Sequence, residues 1–289
     1  MNWRELVSNG AVLTDGAWGT ELQKRGLCVG ECPDAWNLSR PGEVSEVARS
    51  YSEAGSRVVL TNTFRANPIS LAACGLADRT AEINRAGVEL SKKAAGAALV
   101  FGSVGPSGKI LSAGEVSEQE LLFAFRTQAD ALAAGGADAL LLETFSEVEE
   151  ASIALKAVKA TGLPVVVSFA FDTGKNKDRT MTGVTPERAA AAMTEAGADA
   201  VGANCGVGIA QAVEICRRMC AATRLPLWMK PNAGLPEVIN GTIEYRVTAQ
   251  QFASSVPFLR EAGASFIGGC CGTNPEFIRA AAAALSRCD

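Results

Sequence analysis

The chain has 289 residues, of which 48% are hydrophobic and 20% charged, enough to fill one large α/β barrel or two medium domains. A net charge of −4 leaves no basic field for nucleic acid or an anionic membrane, and no apolar run approaches the roughly 20 residues that span a bilayer. Histidine is absent altogether, which excludes imidazole general bases, His-based catalytic triads and His metal ligands.

Residues 1–10 are too polar for a signal peptide, which places the chain in the cytoplasm. In that reducing compartment the nine cysteines read as buried thiols plus a metal site rather than a disulfide framework.

In chain order, eight short apolar runs read as buried parallel strands. They are AVLTDGA (11–17), VVLTNTF (58–64), ALVFGSVG (98–105), DALLLETF (138–145), PVVVSFAF (164–171), DAVGANC (199–205), PLWMK (226–230) and SFIGGCC (265–271). Four follow the same punctuation, a helix-like stretch closed by Ala-Gly or Gly-Gly and a small residue, at Gly55, Gly136, Gly197 and Gly263. Amphipathic stretches at 118–134, 147–160 and 186–196 read as helices. Thr185-Pro186-Glu187 and Asn274-Pro275-Glu276 have the form of an N-cap, a first-turn proline and an acidic first turn. The pattern predicts a single (β/α)8 TIM barrel as one domain over 1–289, with an open doubly wound sheet as the alternative.

In such a barrel, loops after the strands build the active face. The polar and thiol-bearing residues fall there: Asp15 and Gly16 after strand 1, Thr63 and Phe64 after strand 2, Glu143 at the end of strand 4, Cys205 at strand 6, Asn232 after strand 7, and Cys270 and Cys271 after strand 8. Adjacent cysteines on a strand would face opposite ways, so Cys270 and Cys271 meet one ion only where the strand has ended. Cys205, Cys270 and Cys271 then form a soft, all-sulfur set with an open position, suited to a catalytic zinc. Three buried small hydrophobes or a vicinal disulfide are the alternatives. Three thiolates on Zn²⁺ poorly acidify water but suit the ionisation of a fourth thiol, and thiolate attack on an activated methyl group needs no histidine.

Asp15 and Glu143 read as an anionic cradle for a substrate ammonium, or as capping and ion-pair residues. Lys230 reads as a Schiff-base lysine or, with Pro231 following, as a structural one. Cys28-x₃-Cys32 could hold a second metal, while Cys216 and Cys220, four apart on a helix, are expected to pack inward. Gly102–Gly108 reads as a flexible substrate loop, and 171–179 as a polar loop after strand 5.

The blocks DGAWGT (15–20), TNTF (61–64), ETF (143–145), GANC (202–205), PNAG (231–234) and GGCCGT (268–273) resemble the homocysteine S-methyltransferase family in order and spacing from about 10 to 285. The likeness is closest to the homocysteine-binding barrel of cobalamin-dependent methionine synthase. The resemblance implies that one zinc is held by Cys205, Cys270 and Cys271 and binds the sulfur of L-homocysteine. It implies that Asp15 and Glu143 hold the substrate amine, that backbone amides near Gly16 and Phe64 meet its carboxylate, with Thr63 in the same block, and that Asn232 lies beside the zinc. It also implies a methyl donor. In the methionine-synthase relatives a later domain carries the corrinoid through a histidine. A chain ending at Asp289 without histidine is expected to take the methyl from a separate corrinoid protein or further methionine synthase domains, from free methylcobalamin, or from a small donor such as S-methylmethionine or betaine.

Overall fold

Period-two alternation sets which side chains enter the barrel. The structure, a computed structural model, describes residues 3–8, 10–206, 208–239 and 242–286. Its strands are β1 (Val12–Leu13), β2 (Val58–Leu60), β3 (Leu99–Val104), β4 (Ala139–Phe145), β5 (Val165–Phe169), β6 (Ala200–Cys205), β7 (Leu227–Pro231), β8 (Pro236–Ile239), β9 (Thr242–Tyr245) and β10 (Ala264–Ile267). Eight of them form one parallel sheet in the order β1-β10-β7-β6-β5-β4-β3-β2. The ends of that order meet, because Thr14 bridges Val58 and the Arg57 N–H donates to Leu13 O at 2.8 Å. A sheet that runs in sequence order and closes on itself is the expected (β/α)8 barrel, and the doubly wound alternative is excluded.

Val12, Val58, Leu60, Phe101, Ala139, Leu141, Val166, Ala200, Trp228 and Phe266 fill the interior, joined by Leu6 from the helix Trp3–Ser8. Trp228 stacks on Phe101 at 5.8 Å and tilts against Phe266 at 5.3 Å. The alternate residues, among them Val59, Val100, Leu140, Val167, Val201 and Met229, pack outward into the core beneath the helices. Two residues further along the inner face the apolar layer gives way to Ser103, Glu143, Ser168 and Lys230, and on β6, past Gly202, to Asn204, all buried. The pleat that fills the barrel therefore also lifts a polar layer to its C-terminal mouth.

The four repeat glycines, Gly55, Gly136, Gly197 and Gly263, sit at φ of 107°, 90°, 85° and 103°, the left-handed turn expected at each helix exit. Thr185 and Asn274 cap their helices by accepting from Arg188 N and from Glu276 N and Phe277 N. The expected helices appear as Glu118–Ala134, Val148–Lys159 and Pro186–Glu195. One element was not expected: β8 and β9 pair antiparallel as a hairpin in the loop after β7. No helix among the described residues is long and apolar enough to cross a membrane.

Candidate functional site

Three strand ends build the thiol cluster. Cys205 closes β6 at φ 60°, while Cys270 and Cys271 follow the end of β10, so both leave the strand alternation that would have separated them. The chain beyond β7, which lies between them, stitches the group together. Cys270 N donates to Pro231 O at 2.8 Å, Ala233 N to Cys271 O at 3.0 Å and Asn232 N to Cys205 O at 3.3 Å. The Cys205 and Cys270 sulfurs are 3.1 Å apart, and all three lie within 4.8 Å of one another.

Hydrogen bonds from Cys205 and Cys270 hold the Cys271 thiol down to about 3, with the Tyr245 hydroxyl helping. Hydrogen bonds to Cys270 and Cys271 push Cys205 well up. The bond from Cys205 pulls Cys270 down, but its bond to Cys271, burial and that neighbour's charge outweigh the pull and carry it to about 12. Three sulfurs this close share one negative charge, and only a cation lets all three ionise. The set is soft, and Asn232 beside it leaves its buried Oδ1 without a hydrogen-bond partner. The residues present fit a thiophilic divalent ion such as zinc.

Tyr245, on β9, was missed from the sequence. Gly272, at φ 80°, makes room for it, since a Cβ there would lie 2.2 Å from the ring. Asn204 was also passed over. Its Nδ2 donates to Thr144 Oγ1 at 2.7 Å and faces Cys205 Sγ at 3.6 Å, while its Oδ1 accepts from Thr144 N at 2.9 Å and Ser168 Oγ at 2.7 Å. It thereby braces Cys205 against Thr144, which sits at φ 66°.

Below the sulfurs, the polar layer is charged. Asp15 accepts from Trp18 Nε1 and from Leu60 N, each at 2.8 Å, and pairs with the Lys230 ammonium. Lys230 is 2% exposed and Asp15 0%, so this is a buried ion pair and Lys230 is a counter-ion, the structural of its two roles. Glu143 accepts from Ser103 Oγ at 2.5 Å. Burial pushes its carboxyl up to about 7, opposed by the Lys230 charge. Thr63 is fully buried, its hydroxyl within 2.6 Å of Thr61 Oγ1 and donating to Ser103 O at 2.7 Å, which ties β2 to β3. Phe64 is partly exposed on the rim and lies over Gly105. Gly16 packs under Tyr51 and Thr273. The cluster of Asp15, Lys230 and Glu143 and the trio of cysteines therefore occupy one mouth.

The homocysteine S-methyltransferase family model matches residues 12–285. The chain belongs to that family. It is 31% identical to the methionine synthase of Mycobacterium leprae, over 99% of this chain and 25% of that protein. It is 33% identical to betaine–homocysteine S-methyltransferase 1 of Danio rerio, over 97% of this chain and 74% of that one. Among solved structures, the metallated form of the Escherichia coli homocysteine methyltransferase MmuM superposes with a TM-score of 0.80 at 28% identity, covering 97% of this chain and 98% of that one. The chain thus spans about a quarter of the length of the methionine synthases it matches.

The remaining motifs of this homocysteine S-methyltransferase family member fall elsewhere. Cys216 is buried, but Cys220 is exposed beside Gly263 at the helix end, so the expected inward packing holds for one of the two. Gly102–Val104 belong to β3, and Ser107 is pinned by Glu150 at 2.6 and 2.8 Å, an anchored segment rather than the flexible loop expected. The loop after β5 is held by Arg218, which reaches Asp178 at 2.6 Å and Glu187 at 2.5 Å. Among the described residues, the metal-ligating cluster is the Cys205, Cys270 and Cys271 set, and Cys28 and Cys32 form none.

Asp34, next to Cys32, is 2% exposed, and burial raises its carboxyl from 3.8 to about 6. Between those values the folded chain holds a proton that the unfolded chain releases, so stability falls as pH rises through the window. The expected loss is about 2 kcal/mol between pH 4 and 7 relative to Asp34→Asn, read by urea unfolding of both proteins. Parallel pH profiles would refute it.

Proposed function

We propose that this barrel is a zinc-dependent homocysteine S-methyltransferase that makes methionine, with a methylcorrinoid as donor. The observation that carries the reading is the sulfur trio at the mouth, within 4.8 Å of one another, above two buried carboxylates. A zinc ion held by Cys205, Cys270 and Cys271 would ionise a fourth thiol and keep it nucleophilic at neutral pH. The chain's own part is to place that thiol. Glu143 has one short partner, Ser103, and its remaining oxygen can take the substrate ammonium. Asp15 sits across the mouth in its pairing with Lys230. Backbone near Gly16 and Phe64 faces the carboxylate. The thiolate sulfur then bonds the methyl carbon as the carbon–donor bond breaks, and the electron pair leaves with the donor. No protein base is needed.

Glu143→Gln is expected to weaken homocysteine binding about 10- to 150-fold while zinc stays bound, the cost of one charge-assisted hydrogen bond. Asp15, its oxygens already taken by Trp18, Leu60 and Lys230, would act on the amine through that pairing. A thiol without the amine should lose much less. Equal losses on both thiols would remove the amine cradle.

The rim supports a bulky donor. Four of the seven large exposed hydrophobics among the described residues, Phe64, Ile110, Met181 and Leu235, lie on loops directly after strands. S-methylmethionine or betaine is the second reading. Betaine is supported by the betaine–homocysteine S-methyltransferase relative, 74% of which is covered, and a donor needing no further domain by the match over 98% of MmuM, itself a homocysteine methyltransferase. The test offers homocysteine with methylcobalamin, a methylated corrinoid protein, S-methylmethionine or betaine, and measures methionine. Turnover with S-methylmethionine or betaine and none with either corrinoid would replace the first donor by the second.

A further inference from the structure

A second thiol cluster lies away from the mouth. Cys32, half-buried, packs with Leu76 against Ala66, Leu71 and Ile83, and Cys74, exposed in the turn after the helix Pro68–Ala72 and between Leu71 and Leu76, neighbours it there. The Cys32 thiol in turn points at Asp34 Oδ2, 4.0 Å away. An accessible thiol, a sheltered thiol and a buried carboxylate thus stand in line. Cys74 is exposed and Cys32 only half so, so Cys74 is the sulfur that meets reagents first, and burial and the Asp34 charge also push the Cys32 thiol up to about 11.

We propose that Cys32 and Cys74 are a reversible dithiol–disulfide pair that exchanges with low-molecular-weight disulfides, with Asp34 taking the Cys32 proton. The Cys74 thiolate attacks one sulfur of the small disulfide, whose S–S bond breaks and releases one small thiol. Cys32 then attacks the Cys74 sulfur of the mixed disulfide. Its proton passes to Asp34 Oδ2, and the second small thiol leaves, taking that proton. Two protein thiols are oxidised and one external disulfide is reduced to two thiols.

The bridge would be felt at the mouth. Asn62 Nδ2 donates to Pro33 O at 2.8 Å and Arg65 N donates to Asp34 Oδ1 at 3.0 Å. The segment carrying Cys32 is therefore already tied on both sides of Thr63 and Phe64. Joining it to Cys74 fastens that part of the rim to the helix Pro68–Ala72.

The test incubates the zinc-loaded full chain with oxidised glutathione, then alkylates, digests and maps it by mass spectrometry. A peptide pair joined through Cys32 and Cys74 is expected from the native protein. Cys32→Ser, with Cys32→Ala as its check, should stop at a glutathione adduct on Cys74. Asp34→Asn should slow conversion of adduct to bridge about tenfold or more while leaving adduct formation unchanged. A wild-type adduct on Cys74 that never resolves, a Cys28–Cys32 link instead, or a bridge formed only in urea would overturn the proposal. None of these readouts depends on methyl transfer.

Discussion

Cys205→Ala, Cys270→Ala and Cys271→Ala are each expected to lose zinc and turnover while the barrel stays folded. The three sulfurs are the whole donor set that the described residues offer to a metal, and two remaining thiols cannot hold it in competition with water. Loss of the ion removes several kcal/mol of stabilisation from the reacting sulfur, a fall of about a thousandfold or more in kcat/KM. Stability should move little, by about 1 kcal/mol, because the cluster sits on strand ends above the packed layers and not within them. Elemental analysis, a methionine assay and urea unfolding of the three variants read all three quantities. Full activity in any metal-free variant would end the zinc mechanism.

Lys230→Met is expected to act in the opposite way, through stability. Its ammonium and the Asp15 carboxylate are both buried, and Trp18 Nε1 and Leu60 N alone would be left to face the charge of Asp15. Stripping one partner from a buried pair costs about 3–5 kcal/mol. Asp15→Asn should cost a comparable amount by stranding the ammonium beneath the mouth. The double variant should cost clearly less than the sum, since the second change removes the charge that the first exposed. Urea midpoints of the four proteins give the cycle. Additive losses, or single losses below about 1 kcal/mol, would mean the pair is solvated and contributes as surface pairs do.

Where local patterning decides the outcome, the amino-acid order was a sufficient guide. Short apolar runs behind Gly55, Gly136, Gly197 and Gly263 became parallel strands because a left-handed glycine and a sheltered β run are both local requirements. The sulfur trio was legible for a related reason, since the rule that strand ends share one face turns separations of 65 residues into contacts.

What escaped depends on pairings with no short-range signature. Nothing near Lys230 announces Asp15, 215 positions away. Only the inward parity it shares with Trp228 on β7 places its side chain in the mouth. Asn204 was given no role of its own, although that same parity sets it beside Ser168. The hairpin did carry a signal, the Asn240-Gly241 dipeptide between β8 and β9. Tyr245 could have been sought through it.

Thr144 and Cys205, both non-glycine residues at positive φ, carry a further consequence. Backbone of this kind costs of order 1–3 kcal/mol per residue, and it persists only where the surroundings enforce it. Here the enforcing group is the Asn204 amide, wedged between the two strand ends. The distortion is imposed when the barrel closes, before any ligand arrives, so a guest meets donors that need no rearrangement. A guest held there would spend less of its binding energy on ordering the site, so preorganisation adds to affinity and slows release. The softness and span of the three sulfurs can then select among guests without the site first having to be assembled.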